Sequence, residues 1–168
     1  LVEKHRMGGD CLNTGCVPSK ALLRPAKLVA QIRDAGRYGL RQASVDFDFA
    51  AGMARVRRVI RTIEPHDSVA RYTQLGVECI QGEAKIVSPW EVEVRGGDGG
   101  VRRLTTRSIV IAAGARPFVP PIPGIEAMDC LTSDTVWDLR ALPARLLVLG
   151  GGPIGSELAQ AFARLGAK

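Results

Sequence analysis

Two cysteines near the start of the chain, Cys11 and Cys16, are the residues best suited to carry out chemistry. Four residues separate them, so their sulfurs can meet across one helical turn and a loop. Pro18 stands where the first turn of a helix accepts proline, which predicts that Cys16 lies at a helix N-terminus. The unpaired N–H groups and the dipole at such an end favour a thiolate. Cys11 is expected on the loop side, where a substrate can reach it more easily.

Other roles for this pair are less favoured. A zinc site needs four ligands, and the remaining cysteines and histidines are scattered singly along the chain, so no metal site is predicted. These single residues are Cys79, Cys130, His5 and His66. A structural disulfide is disfavoured because the cytosol, the expected compartment, keeps ordinary thiols reduced. Two unpaired core cysteines would leave the surrounding glycines unexplained.

The segment around the pair resembles a known redox signature. It reads Gly8-Gly9-Asp10-Cys11-Leu12-Asn13-Thr14-Gly15-Cys16-Val17-Pro18-Ser19-Lys20. It is similar to the signature of the class I pyridine nucleotide-disulfide oxidoreductases, the flavoprotein disulfide reductases. Its ending resembles the dihydrolipoamide dehydrogenase and mercuric reductase branches more than glutathione reductase. Asp10 and Thr14 stand where the family usually has Thr and Val.

A second motif follows the apolar run at residues 146–149. It reads Gly150-Gly151-Gly152-Pro153-Ile154-Gly155-Ser156-Glu157 and contains the spacing Gly-x-Gly-x-x-Gly. After a strand and before a helix, this spacing gives a tight turn and places a pyrophosphate at the helix N-terminus. We therefore expect a nicotinamide nucleotide to contact Gly150, Gly152, Pro153, Ile154 and Gly155. A glycine-rich turn without a ligand is the alternative.

Weaker resemblances concern FAD. Residues 105–117 resemble the family's second flavin motif, which implies FAD contacts from Ala113, Gly114 and Ala115. Residues 82–85 resemble its adenine-contacting turn, with Ala84 at the contacting position. Glu3 matches the acidic residue that holds the adenosine ribose, and a carboxylate can accept two ribose hydroxyls. The resemblance also assigns FAD contacts to four residues of the first motif, namely Gly8, Gly9, Asp10 and Lys20.

Hydrophobic periodicity predicts the elements that position these motifs. Residues 1–3 indicate the end of a strand, and residues 21–32 have helical spacing, with Pro25 expected to start or kink that helix. A second helix is predicted after Asp48, its expected N-cap, and ends at Glu64-Pro65. Leu158 to Leu165 is predicted to be a third helix.

Short segments further along the chain indicate strands. They are predicted at residues 77–80, 91–95 and 101–104, and the glycine tract at residues 96–100 makes the last two a hairpin. The apolar runs at residues 108–113 and 146–149 indicate strands buried on both faces. The proline-rich segment at residues 116–124 indicates an extended crossing between domains.

Composition narrows the function classes. The chain has 168 residues and a net charge of +6, with arginines clustered on a predicted helix. Because that helix has an apolar opposite face and no interleaved aromatic residues, a solvated face is favoured over a nucleic-acid surface. The sequence shows neither a membrane-spanning run nor a signal peptide, so a cytoplasmic protein with no membrane partner is expected.

The order of the predicted elements, together with the family resemblance, implies an α/β fold of FAD/NAD(P)-binding, Rossmann-like three-layer domains, both incomplete. Residues 1–116 are the expected partial FAD domain, and residues 117–168 the linker and the start of the NAD(P) domain. The family's first FAD glycine loop would precede Leu1, while its third flavin motif and interface domain would follow Lys168. The chain therefore looks like an excerpt, expected to be inactive alone.

The resemblance implies an FAD-dependent enzyme that passes electrons between NAD(P)H, FAD and the redox disulfide Cys11–Cys16. Cys16 would face the flavin and Cys11 would exchange with the substrate, while Lys20 and Glu157 would form an ion pair near the flavin. The expected partners are a small or protein-bound disulfide or dithiol, dihydrolipoamide first and Hg(II) second, and a second copy in a homodimer. Gly155 favours NADH. A non-catalytic remnant acting as a binding or assembly module is the third reading.

Overall fold

The computed structural model describes residues 1–41 and 43–168, which form two compact units. The strand unit comprises Leu1–Gly9 and Ile63–Ala115, and the helix unit comprises Asp10–Thr62 and Arg116–Lys168. The helices are α1 (Gly9–Asn13), α2 (Cys16–Arg33), α3 (Phe49–Ile63), α4 (Val69–Gln74) and α5 (Pro153–Leu165). The strands are β1 (Val2–Glu3), β2 (Ile80–Gln81), β3 (Glu83–Ser88), β4 (Glu91–Arg95) and β5 (Val101–Thr105). None of the described helices is long and apolar enough to cross a membrane.

The strand unit contains two small sheets. Strands β1 and β2 pair in parallel, with Val2 opposite Ile80, and β3, β4 and β5 form an antiparallel meander. The predicted hairpin is confirmed, because the N–H of Gly96 donates to the carbonyl of Gly100 at 2.9 Å where β4 turns into β5. Val94 of β4, 2% exposed, is the buried centre of the meander.

Two strand predictions in this unit are wrong, at residues 77–80 and at residues 108–113, and one strand was missed. Of residues 77–80, only Ile80 belongs to a strand. Strand β3 covers Glu83–Ser88, including residues that sequence alone indicated as a turn. Its sequence, Glu-Ala-Lys-Ile-Val-Ser, lacks the alternation of apolar and polar residues that signals a half-buried strand, and nearly all of its side chains are exposed.

Helices α2, α3 and α5 enclose the core of the helix unit. Asp48 caps α3 as predicted, its carboxylate accepting from the N–H of Ala51 at 2.9 Å. The rings of Phe49 and Phe162 lie 6.0 Å apart. The core consists of buried apolar residues from these helices and from a short turn near Trp137: Ala21, Leu22, Ala26, Val29, Phe49, Met53, Val56, Val136, Trp137, Ala161, Phe162 and Leu165.

Helix α2 begins at Cys16, five residues earlier than its apolar periodicity predicted, and continues through Pro25. Proline has no N–H, so Pro25 leaves the carbonyl of Ala21 without its normal partner one turn earlier. The guanidinium of Arg55, on α3, donates to that carbonyl at 2.8 Å. A hydrogen bond from a neighbouring helix therefore replaces the one that proline removes.

The two buried strands predicted at residues 108–113 and 146–149 are absent from the described part of the chain. Val110 is 89% exposed, Ile111 75% and Leu147 82%. A strand is buried on both faces only when a sheet continues on either side of it and helices cover it. The parallel sheet among the described residues has only the short strands β1 and β2, so these apolar segments have no sheet to bury both of their faces.

Candidate redox and nucleotide-binding site

The two motif cysteines lie on consecutive helices of the structure. Cys11 lies within α1, and Cys16 is the first residue of α2, as its spacing to Pro18 predicted. Both are exposed, and the structure shows them as thiols. Only Thr14 and Gly15 separate the two helices. Cys11 is therefore the middle residue of a short helix and not part of a loop as expected, and both cysteines are exposed to solvent.

Gly15 allows the two helices to approach closely. A Cβ at this position would lie 2.9 Å from the carbonyl oxygen of Asp10 and 3.4 Å from the Cα of Cys11. The first distance is shorter than side-chain carbons tolerate, so any other residue would push the backbone of Cys16 away from Cys11. Glycine is required at position 15 because a Cβ does not fit there, and this close packing keeps the backbone before Cys16 against Cys11.

The start of α2 has the electrostatics expected of a helix N-terminus. Gly15 is its N-cap and makes no side-chain capping hydrogen bond. Ser19 turns back along the helix instead, its hydroxyl donating to the carbonyl of Cys16 at 3.2 Å. The positive end of the helix dipole thus lies at Cys16, and the first turn of α2 contains no acidic residue.

Lys20, one turn into α2, forms the expected ion pair with Glu157, which lies just beyond the first turn of α5. Its ammonium nitrogen lies 2.8 Å from Oε1 and 2.7 Å from Oε2 of the carboxylate. The two side chains are 61% and 41% exposed, so the pair contributes at most about 1 kcal/mol of stability. It links the helix that carries Cys16 to the helix that follows the glycine turn.

The glycine turn before α5 has an open approach to its helix N-terminus. Gly150 has φ +98°, and Gly152 is the N-cap, with Pro153 at the first helical position. A Cβ at Gly152 would meet nothing within 4 Å, whereas one at Gly155 would lie 3.0 Å from the carbonyl oxygen of Gly150. The turn is thus closely packed at Gly155, inside the helix, and open at Gly152, where the helix begins. This fits a pyrophosphate, which needs bare backbone N–H groups within reach.

The strand unit contains the other residues with a predicted FAD role. The carboxylate of Glu3, at the end of β1, accepts from the N–H of His5 at 2.8 Å. Ala84 lies within β3 opposite Val94, in a groove of about 300 Å³ whose other lining side chains are charged. Gly8 and residues 113–115 lie on irregular backbone, whereas Gly9 and Asp10 are the first two residues of α1, and Asp10 belongs to the helix unit. Gly8, Gly9 and Gly114 have positive φ, and Ala113 and Ala115 are exposed.

These placements fit a flavin only in part. Glu3 offers a carboxylate at a strand end, which suits ribose hydroxyls. The charged groove beside Ala84 is unlike the apolar surface that an adenine ring prefers. Residues 1–41 and 43–168 contain no group of three or more His, Cys, Asp or Glu placed to hold a metal ion.

Sequence reasoning missed two residues next to the site, Arg55 and Trp137. Arg55 could have been expected, because a proline inside a helix leaves a carbonyl that needs a donor. The indole of Trp137 donates to the carbonyl of Thr14 at 2.9 Å, between the two cysteines. No motif predicts this contact, because its acceptor is backbone.

Comparison with known proteins agrees with this geometry. A profile of the pyridine nucleotide-disulphide oxidoreductases matches residues 1–168, the whole chain. The chain belongs to the pyridine nucleotide-disulphide oxidoreductase family. The family predicted from the cysteine signature is therefore confirmed, as is the α/β class of flavin- and nucleotide-binding domains. Membership implies a flavin and a pyridine nucleotide as cofactors.

Three relatives illustrate how the chain compares with other oxidoreductases. A mercuric reductase from Lysinibacillus sphaericus is 36% identical, over 100% of this chain and 30% of its own length. A dihydrolipoyl dehydrogenase from Chlorobaculum parvum is also 36% identical, over 100% of this chain and 36% of its own. The Cu(II) complex of the HOCl-induced flavoprotein disulfide reductase RclA from Escherichia coli matches with a TM-score of 0.77 at 28% identity, covering 100% of this chain and 34% of that one. The chain thus spans about a third of the length of these relatives.

Proposed function

We propose that the whole protein passes electrons between NAD(P)H, FAD and the pair Cys11 and Cys16, and so reduces or oxidises a disulfide or dithiol substrate. One observation carries the proposal. Cys16 starts α2, and the backbone of Gly15 packs closely against Asp10 and Cys11 of α1, so two exposed cysteines lie on consecutive helices joined by two residues. A dithiol that can close to a disulfide, at a helix N-terminus and open to solvent, suits thiol exchange better than structural support.

The exchange needs only the two sulfurs and a substrate. In the reducing direction, the Cys11 thiolate attacks one sulfur of the substrate disulfide and releases the other as a thiolate. The Cys16 sulfur then attacks Cys11, releases the second substrate thiol and leaves a Cys11–Cys16 disulfide. Two electrons and two protons pass to the substrate, and the reverse sequence oxidises a dithiol.

The cofactor residues complete the proposal. FAD, when bound, supplies two-electron transfer between the nicotinamide nucleotide and the sulfur pair. Gly150, Gly152, Pro153, Ile154 and Gly155 would hold the nucleotide pyrophosphate at the start of α5. We assign the ion pair of Lys20 and Glu157 to positioning, since it joins the cysteine helix to the nucleotide helix. The FAD contacts would come from Glu3, Ala84, residues 8–10, Lys20 and residues 113–115.

Dihydrolipoamide is our first proposed substrate and Hg(II) the second. The first follows from the dithiol exchange chemistry of the pair, and a dihydrolipoyl dehydrogenase is among the relatives. The second is favoured by a specific observation, since a mercuric reductase matches the whole chain at the same 36% identity. Steady-state rates of the full-length protein with dihydrolipoamide and NAD⁺, and with Hg(II) and NADPH or NADH, separate the two.

For the nucleotide we propose NADH. Gly155 packs closely enough on the Gly150 carbonyl that a methyl group there would disturb the turn, and the resemblance associates this glycine with NAD sites. Steady-state kinetics of the full-length protein with each nucleotide test it. The expected result is a higher kcat/KM with NADH, and a tenfold preference for NADPH would contradict the proposal.

We also propose a cytoplasmic homodimer that uses neither nucleic acid nor membrane as a partner. The division into an FAD part at residues 1–116 and a nucleotide part from residue 117 belongs to the same proposal. Light scattering on the full-length protein tests the dimer, and a monomeric mass would contradict it.

The decisive experiment compares the two sulfurs in the full-length, FAD-loaded protein. In Cys11→Ser, the remaining Cys16 sulfur cannot form the disulfide, and as a thiolate beside the flavin it gives a long-wavelength charge-transfer band without reductant. Cys16→Ser should lose this band. Both variants should lose disulfide turnover while still passing electrons from the nucleotide to a flavin-directed dye, which reports intact cofactor binding.

The visible spectra separate the alternatives. A band that follows Cys11 would reverse the two assigned roles. Turnover that survives in both variants would show that the pair is not the redox centre. Ser substitution at Cys130, which is exposed but far along the chain from the pair, is the matched control and should leave spectrum and turnover unchanged.

A further inference from the structure

Trp137 contacts the backbone that joins the two cysteine helices. This connection consists of Thr14 and Gly15, and we refer to it as the cysteine loop. The indole N–H of Trp137 donates to the carbonyl of Thr14 at 2.9 Å and to that of Ser133 at 2.8 Å. One donor thus joins the cysteine loop to a segment 123 residues further along the chain.

The indole ring is firmly held on its own side. Trp137 is 8% exposed and belongs to the core of the helix unit. It lies in a 3₁₀ turn, Val136–Asp138, whose entry is fixed by the N–H of Val136 donating to Thr132 at 3.0 Å. The N–H of Thr132 in turn donates to the hydroxyl of Thr135 at 2.9 Å. The donor is therefore fixed by packing and hydrogen bonds before it reaches the cysteine loop.

The cysteine loop is short enough for this contact to matter. The N–H of Thr14 donates to the carbonyl of Asp10 at 2.9 Å, so both backbone groups of Thr14 are engaged. Only Thr14 and Gly15 connect Asn13, at the end of α1, to Cys16, at the start of α2. A rotation of the Thr14 peptide would therefore change the distance between the sulfurs of Cys11 and Cys16.

We propose that Trp137 is a positioning residue for the cysteine pair. Its N–H fixes the Thr14 carbonyl and so raises the effective concentration of each sulfur for the other. The inference rests on the proposed function, because it requires Cys11 and Cys16 to interconvert between dithiol and disulfide. It adds to that function a side chain that holds the backbone between the two cysteines and sets how readily the disulfide forms.

Loss of this N–H should make the disulfide easier to reduce. Without its donor the loop samples more conformations, so the sulfurs meet less often and the dithiol is favoured. Losing one neutral hydrogen bond shifts such an equilibrium about threefold to tenfold. At about 30 mV for each tenfold change in a two-electron couple, the midpoint potential should rise by about 15 to 30 mV.

The test measures this equilibrium directly in the full-length, FAD-loaded protein. The protein is equilibrated in dithiothreitol redox buffers, quenched in acid and alkylated. Mass spectrometry of the peptide that contains both cysteines then gives the dithiol fraction at each potential. Trp137→Phe removes the N–H and keeps an aromatic ring. A second variant carries benzothienylalanine at this position, which keeps the bicyclic shape and replaces the N–H by sulfur. Trp90→Phe, at an exposed tryptophan, is the matched control.

Each outcome decides a different point. A wild-type protein in which the cysteines do not titrate as a pair removes the proposed function itself. If the wild type titrates as a pair, a rise in potential in the benzothienylalanine variant, with none in Trp90→Phe, supports the inference. An unchanged or lower potential in that variant overturns it. A shift seen only in Trp137→Phe also overturns it, because ring packing and not the N–H would then be responsible. If Trp137→Phe does not fold, the isosteric variant decides alone.

Discussion

Arg55 and Pro25 form a compensating pair whose energy can be measured. Pro25 removes the helical donor to the Ala21 carbonyl, and the guanidinium of Arg55 donates to it at 2.8 Å in a partly buried position. A hydrogen bond with a charged donor contributes about 1.5 to 3 kcal/mol. Because Ala21 is 6% exposed, water has little access to its carbonyl once the donor is lost. Arg55→Met keeps most of the apolar stem and should cost about this amount.

The stability cost of Arg55→Met should depend on the residue at position 25. In Pro25→Ala the new N–H can donate to the Ala21 carbonyl within the helix, and the change also removes a residue about 3 kcal/mol less favourable than alanine in a helix interior. In that background the guanidinium is a second donor to an acceptor already satisfied. Arg55→Met should then cost less than about 1 kcal/mol, which gives a coupling energy of at least about 0.5 kcal/mol between the two positions.

Hydrogen exchange of the full-length protein is the appropriate assay, because it reports local opening without assuming that a large protein unfolds in one step. In the wild-type background, Arg55→Met should accelerate exchange of the α2 amides about 10- to 100-fold, and Arg58→Met, at an exposed arginine on the same helix, should change it little. Equal acceleration by Arg55→Met with Pro25 and with Ala at position 25 would refute the compensation. No acceleration in either background would show that the contact contributes nothing.

Two further predictions test the cysteine loop and the cap of α3. Gly15→Ala places a Cβ 2.9 Å from the Asp10 carbonyl, so disulfide closure in the full-length protein should slow about tenfold in a thiol-trapping time course. The control is Gly36→Ala, where a Cβ meets nothing within 4 Å. Equal rates of closure in the two variants would contradict the close-packing argument. Asp48→Ala removes the N-cap acceptor. The protection of the first-turn amides of α3 against hydrogen exchange should fall by about 0.5 to 2 kcal/mol, with Asp46→Ala as the control. Unchanged protection in Asp48→Ala would mean that the cap does not stabilise α3.

Features that depend on neighbouring residues could be predicted from the sequence. The position of Cys16 at a helix start followed from Pro18 two residues later, and the cap of α3 followed from Asp48 before an apolar periodic run. The hairpin followed from a glycine tract between two alternating segments. In each case the determining contacts span only a few residues, so local stereochemistry is enough to specify the structure.

The buried strands could not be predicted in the same way. The apolar run at residues 108–113 has the composition of a central strand. Composition indicates that both faces of the segment would be stable if buried, but it does not show whether adjacent strands and helices are present to bury them. Val110 and Ile111 are exposed in the described structure because no sheet adjoins them. The apolar periodicity alone placed the start of α2 five residues too late for a related reason. Its first turn contains Pro18, Ser19 and Lys20, which have no apolar periodicity, and its path through Pro25 depends on a donor from another helix.

The two long-range contacts of the site differ in how visible they are in a sequence. Lys20 and Glu157 lie 137 residues apart, yet both partners are charged side chains in recognisable motifs, so a resemblance was enough to pair them. Trp137 lies 123 residues from Thr14, but its acceptor is a backbone carbonyl, which every residue has. Substitution at Thr14 itself leaves that carbonyl in place, so the contact does not constrain the side chain at position 14. Only the residue at position 137 must have a particular side chain for this contact to form. Side-chain motifs therefore identify the two cysteines but do not reveal the hydrogen bond to the backbone between them.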